Sequence, residues 1–344
     1  MAQHPSHPKP PASIENDNLA DRFGICQWFH YEDWRLLDAT VEALDELGVR
    51  HLRTGLSWAD YHRPRGRAWY DHLMQVLGSS DLEVLLSVWH TPPSITADPA
   101  GGNSALPPVR PRDYADFIDE TIRSYGTVFD AIELWNEPNN PYKWDPRYDP
   151  DHEIFAEMVS DAGNSARQRG KVTVLGGITL LDYEFVRTMA RHGVLEHMDV
   201  LGIHAFPQMW EPYATSWDHP SHWYGWEHRI GELERTSGLP VWVTETGLAT
   251  YHKGEDIRCR EDVQMARLHE ALTAPAERMY WYTLFDLPPS RVAIEEAHGG
   301  PREEAEYHMG LIRYRDGFLV AGQEKPAYGA LRRALAARPK VKTA

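Results

Sequence analysis

A repeating rhythm restricts the fold of this chain more than any other feature. From residue 21 onward, short apolar runs alternate with amphipathic helical segments, and the alternation recurs eight times. The apolar runs are RFGICQWF (22–29), VRHLRTGLSW (49–58), LEVLLSVWH (82–90), AIELWNE (131–137), KVTVLGGI (171–178), MDVLGIHAF (198–206), LPVWVTE (239–245) and RMYWYTLFD (278–286). Each is apolar almost throughout, with little alternation, as expected of parallel strands covered on both faces. Helical periodicity fills the intervals, clearest at 33–48, 111–126, 151–170 and 259–274; the first and third end in glycine, a common helix stop.

Eight βα units in 344 residues match a (β/α)8 barrel in count and length. A doubly wound open sheet is the competing arrangement. It requires a Gly-rich phosphate turn after an early strand, and GICQWFHYEDW supplies none. The expected fold is α/β, a single-domain (β/α)8 TIM barrel over 21–337, with 1–20 a disordered leader rich in Pro, Ser and His, and 338–344 a basic tail. The long Pro/Gly stretches 91–111 and 287–326 follow strands 3 and 8. Both therefore lie on the C-terminal face, where barrels carry their active sites.

Charge narrows the partners. The formal net charge is −16, spread along the chain, and this field repels polyphosphate, so no nucleic acid is expected as a partner. No window approaches the roughly 18 apolar residues of a membrane span, and the leader lacks an apolar h-region; the expectation is a cytoplasmic protein with no membrane partner. Cys26 and Cys259 are the only cysteines, too few for a disulfide framework or a zinc cluster, and both read as structural thiols suited to a reducing compartment. Among 18 histidines there is neither His-x-His on strand 1 nor His-Glu-x-x-His, so a metal-dependent barrel hydrolase is disfavoured and no cofactor is expected.

The chemistry is concentrated at two strand ends. ELWNEPNN (133–140) runs an apolar strand into Asn136 and Glu137, and VWVTETG (241–247) places Glu245 at the matching height on strand 7. Two glutamates facing each other across a barrel mouth are what glycoside hydrolysis requires: a protonated acid for the leaving oxygen and an ionised carboxylate for the anomeric carbon. Glu133 lies within strand 4, the place of a buried partner for an arginine rather than of a catalyst. His90, closing strand 3, could donate to a sugar hydroxyl. Trp28, Trp58, Trp89 and Trp135 fall at or near strand tops, where aromatic faces suit a sugar ring. Trp210, Trp217, Trp223 and Trp226 could build further subsites.

The motifs WNEPN at the end of strand 4 and VTETG at the end of strand 7 resemble, as a pair, those of the clan A retaining glycoside hydrolases with (β/α)8 barrels. The resemblance extends over residues 21–335 and is nearest to family 39, the β-xylosidases and α-L-iduronidases, with their bacterial relatives. It implies Glu137 as acid/base, Glu245 as nucleophile, Asn136 as a donor to the sugar 2-hydroxyl, and Arg53 as the arginine beneath the nucleophile. It also implies Trp281 as the subsite floor, with Tyr282 as rival. His204 fits the clan's His-x-Tyr pattern, but Phe206 stands where the tyrosine would donate to the nucleophile, and a phenyl ring cannot. Tyr280, Tyr282 and Tyr224 are candidate substitutes. The implied activity is hydrolysis of an O-glycosidic bond, a β-pyranoside such as a xyloside or glucoside, by double displacement. A transglycosidase would share every one of these residues, and a catalytically impaired carbohydrate-binding barrel is the remaining alternative.

Overall fold

The computed structural model describes residues 19–207, 224–250, 260–287, 307–313 and 322–337. The leader through residue 18, Trp210, Trp217, Trp223, Cys259 and the basic tail lie outside them. Eight parallel strands close into a barrel in chain order: β1 (Phe23–Cys26), β2 (His51–Ser57), β3 (Glu83–Trp89), β4 (Phe129–Leu134), β5 (Val172–Ile178), β6 (Val200–His204), β7 (Val241–Thr246) and β8 (Met279–Tyr282). β8 pairs back onto β1, Ile25 beside Trp281 and Cys26 beside Tyr282.

Helices cover the outside because their apolar stripes have the barrel to pack on. In the helix Arg112–Tyr125 the buried residues Tyr114, Phe117, Ile118, Thr121, Ile122 and Tyr125 follow the spacing of one helical face. The helix Trp34–Leu47 stops at Gly48, whose φ of 72° is the left-handed cap that glycine adopts without a Cβ penalty. Strand side chains divide between two packed layers. Ile25 and Trp281 point out into the large layer between sheet and helices, while Cys26, Leu85, Val174, Tyr280 and Tyr282 point into the barrel.

At the top, the chain leaves the sheet earlier than the apolar runs suggest. β4 ends at Leu134, not Glu137, and Trp135 and Glu137 take φ values of 83° and 51°. For non-glycine residues this is a sparsely populated region that costs about 1–3 kcal/mol and is held only by surrounding structure. Part of that structure is Gly176 on β5: a Cβ there would overlap the Trp135 carbonyl. Behind the loop after β8, Lys325 is 1% exposed and donates to Asp286 Oδ1 at 2.7 Å and to the His308 carbonyl at 3.1 Å, fastening the closing helix Pro326–Ala336. No helix among the described residues is long and apolar enough to cross a membrane.

Candidate active site

Arg53 organises the barrel mouth. It rises from β2 with no solvent exposure, and its planar fork reaches three neighbouring acceptors. Nε and Nη2 donate to Glu133 Oε2 at 2.9 and 2.5 Å, Nη1 donates to Glu245 Oε1 at 2.5 Å, and Nη2 donates to Asn136 Oδ1 at 2.7 Å. The buried Glu133 is thus the arginine's partner, steadied on its other oxygen by the Gly177 amide at 3.1 Å. Asn136 spends its carbonyl on Arg53, so only its amide NH2 is left to donate to a ligand.

His204, fully buried on β6, stands between the two candidate catalytic groups. Its Nδ1 lies 2.9 Å from Glu137 Oε1 and 3.5 Å from Glu245 Oε2. Its Nε2 faces Arg53 Nη2 at 3.3 Å. Both hydrogens of Nη2 already go to Glu133 and Asn136, so this approach is a close contact, and Nδ1 is the ring nitrogen aimed at Glu137. Oε2 of Glu137 accepts from Asn140 Nδ2 at 2.9 Å, and that amide is locked in orientation because its Oδ1 accepts from the Tyr142 amide at 3.0 Å. Burial would raise the Glu137 carboxyl, but the His204 hydrogen bond, the nearby Lys143 charge and the Asn140 donor outweigh it. The net effect lowers the carboxyl to about 2. The surroundings of Glu137 favour its ionised form. Donors occupy both of its oxygens.

Ligating atoms of Glu137, His204 and Glu245 all fall within 4.8 Å of one another. One imidazole and two carboxylates are donors a divalent cation would accept. Here, however, the imidazole nitrogen facing the carboxylates is already engaged with Glu137, and Arg53 already supplies positive charge to the cluster.

Around this cluster the aromatic residues separate into two groups. Trp28 lies over the Arg53 guanidinium at 4.8 Å, against the bare backbone of Gly55, and meets Trp89 at 5.8 Å. Across the mouth, Phe206 meets Tyr282 edge-on at 6.3 Å. The other predicted aromatics point away. Trp281 belongs to the outer layer, because β8 turns alternate residues outward, and of the rival pair it is Tyr282 that shares the barrel interior. Trp135 is turned outward by its positive φ and packs at 5.2 Å on Trp144, its Nε1 bonded to the Lys143 carbonyl at 3.1 Å. Trp58 stacks on Phe117 and Trp226 packs against the outer core. His90, at φ 67°, lies on the Trp89 ring with Nδ1 3.3 Å from Ser57 Oγ. Tyr224 is 42% exposed and stacks near His228 and Arg229.

Sequence reasoning passed over three contributors. Cys26 brings its thiol to 3.7 Å from Glu245 Oε1. Asn140, two residues beyond the proline of the motif, reaches back to Glu137. Gly177, in the strand VLGGI, leaves the space that the His204 ring fills, since a Cβ there would overlap Nε2. Only the Gly-Gly pair in an otherwise apolar strand was a visible signal, as glycine inside a strand often marks a close approach.

No family model and no curated protein matches this chain; solved structures do. A family 39 glycoside hydrolase from the gut symbiont Bacteroides cellulosilyticus superposes with a TM-score of 0.61 at 17% identity over 94% of this chain, which spans 65% of that protein's length. Fpglu1 from Fervidobacterium pennivoraus gives 0.66 at 12% identity, covering 92% of this chain and 96% of that one. The Ignisphaera aggregans GH53 catalytic domain gives 0.60 at 14%, covering 95% and 99%. The structural neighbours of this chain are clan A glycoside hydrolases. At these identities the likeness establishes the clan A barrel as a fold, and what such a barrel does has to be argued from its own residues.

Proposed function

We propose that this chain is a retaining glycosidase acting on β-pyranosides, with Glu245 as nucleophile and Glu137 as acid/base. One observation supports the reading: carboxylate oxygens from β7 and from the end of β4 converge within 4.8 Å, one braced by Arg53 and the other held by His204 and Asn140. Retaining enzymes hold their carboxyl groups about 5–5.5 Å apart, whereas inverting ones leave about 6.5–9.5 Å for a water. The glycoside hydrolases among the structural neighbours support a carbohydrate as substrate.

Each half of the reaction follows from the contacts. Arg53 occupies Oε1 of Glu245, so Oε2 is the oxygen with a lone pair for the anomeric carbon. A sugar entering the mouth deepens the burial of Glu137, and this opposes a second anion beside Glu245, so a proton returns to Glu137 on binding. That proton goes to the leaving oxygen as Glu245 forms the glycosyl ester. The ester is uncharged. Repulsion then vanishes, and the donors from His204 and Asn140 favour Glu137 as the carboxylate that deprotonates water. The resting hydrogen bonds are those of the second half-reaction. Asn136, through its NH2, faces the sugar beside Glu137.

The test is a screen of aryl β-xylosides and β-glucosides followed by Glu245→Ala and Glu137→Ala on the best substrate. Glu245→Ala should abolish turnover. Glu137→Ala should retain cleavage of dinitrophenyl glycosides, whose leaving group needs no proton, and lose it for poor leaving groups. Full activity in both variants would discard the assignment.

A further inference from the structure

The site departs from its clan pattern at one point, and the structure points to what fills the gap. Phe206 has no donor and spends its ring on Tyr282, so it gives the candidate nucleophile no hydrogen bond. Among the described residues, the groups against the Glu245 carboxylate are Arg53, His204 and the Cys26 thiol. None of the candidate tyrosines is among them.

Cys26 is placed for this by the sheet. It ends β1 with Arg53 as its register partner on one side and Tyr282 on the other, pointing into the barrel with no exposure. Arg53 Nη1 donates to Sγ at 3.2 Å, so the sulfur accepts on one side. Sγ lies 3.7 Å from Glu245 Oε1, within reach for a sulfur donor, and the thiol hydrogen has that carboxylate oxygen to point at. Burial holds the thiol well above its ordinary range, with Arg53 pulling the other way, so it stays protonated and can donate.

We infer that Cys26 is a positioning residue for Glu245: its S–H and Arg53 together hold Oε1, which fixes the carboxylate plane and leaves Oε2 to react. The catalytic consequence rests on the glycosidase reading; the contact itself does not. The thiol has the donor role that Phe206 gives up, from the opposite side of the barrel.

Infrared spectroscopy of the S–H stretch reads the contact directly. In a Cys259→Ser background Cys26 is the only thiol, so one band reports it. Its frequency should lie below that of the same variant unfolded in urea, and Glu245→Gln, which trades a charged acceptor for a neutral one, should move it back up. A folded-state band at the free-thiol frequency, indifferent to Glu245→Gln, overturns the inference. The kinetic arm uses Cys26→Val, close in volume but without the donor. Its covalent trapping by a 2-fluoro glycoside should slow about threefold to tenfold, the effect of one modest hydrogen bond. An unchanged trapping rate would leave the thiol as packing and sink the positioning role. Inactivity of the parent toward every glycoside, with the band displaced, would remove the glycosidase reading while supporting the thiol–carboxylate contact.

Discussion

Asn140→Ala tests how the surroundings of Glu137 favour its ionised form. The substitution deletes the 2.9 Å donor to Oε2 and leaves the His204 bond to Oε1 in place. A hydrogen bond to a charged group contributes about 1.5–3 kcal/mol. Asn140 is half-exposed, so water would recover part of that, and a net loss of about 1.4 kcal/mol corresponds to about one pH unit. The donor favours the ionised form; without it the Glu137 titration moves up by about that amount. Carboxyl 13C NMR on glutamate-labelled protein, with Glu137→Gln for assignment, measures this without any substrate. The same shift should appear kinetically as a basic limb displaced to higher pH for poor leaving groups and unmoved for dinitrophenyl glycosides. Asn140 also accepts from the Tyr142 amide, so loop loosening has to be separated from loss of the donor. Asn140→Asp does so: it keeps that acceptor, replaces the donor by a like charge, and should raise Glu137 further. A Glu137 titration that stays put in both folded variants would refute the reasoning.

Arg53→Met leaves Glu133 buried without its cation and should cost about 3–5 kcal/mol in urea denaturation, together with all activity. Gly177→Ala pushes a methyl into the His204 ring; about 1–3 kcal/mol of overpacking is expected, with activity falling more than stability because the ring leaves Glu137. Glu137 also links folding to pH. Its folded-state value is depressed, so its contribution is complete above an ordinary glutamate value and is lost as pH falls through the lower folded one, toward about 2. Glu137→Gln should therefore flatten the acid side of a stability–pH curve measured by denaturation between these values.

The barrel was legible because buried parallel strands need continuous apolar runs and the covering helices need amphipathic ones, and both periods are written locally. The same continuity hid the phase of individual strands. In MYWY every residue is apolar or aromatic, so nothing local says whether Trp281 or Tyr282 faces inward; the pairing with Ile25 and Cys26 decides it. Trp135 looked like a strand-top aromatic until the positive φ at that residue turned it into the outer core. Cys26 sits in an apolar run and reads as one more small hydrophobe, since its meeting with Glu245 joins β1 to β7 across the barrel. The surroundings of Glu137 were hidden for a related reason. They combine His204 from β6 with the backbone of Tyr142, which sets how Asn140 points, and no single stretch of sequence contains both.

The cluster as a whole sets two carboxylates, Glu133 and Glu245, and the Asn136 carbonyl around one guanidinium, with Glu137 joined through His204. A lysine could neutralise one carboxylate but could not serve all three acceptors at fixed angles, whereas the planar fork of Arg53 can. Glu133 takes two of its donors although it never reaches the mouth. That division has a consequence for chemistry. A nucleophile paired alone with a buried guanidinium would be held too tightly to attack, and one without it would carry an uncompensated buried charge. By drawing Arg53 to its own side, Glu133 limits how much of that positive charge Glu245 feels, while the rigid fork still fixes where Oε1 lies. The two carboxylates are thereby coupled through an arginine that touches both, so Glu133→Gln should raise the share of Arg53 charge on Glu245.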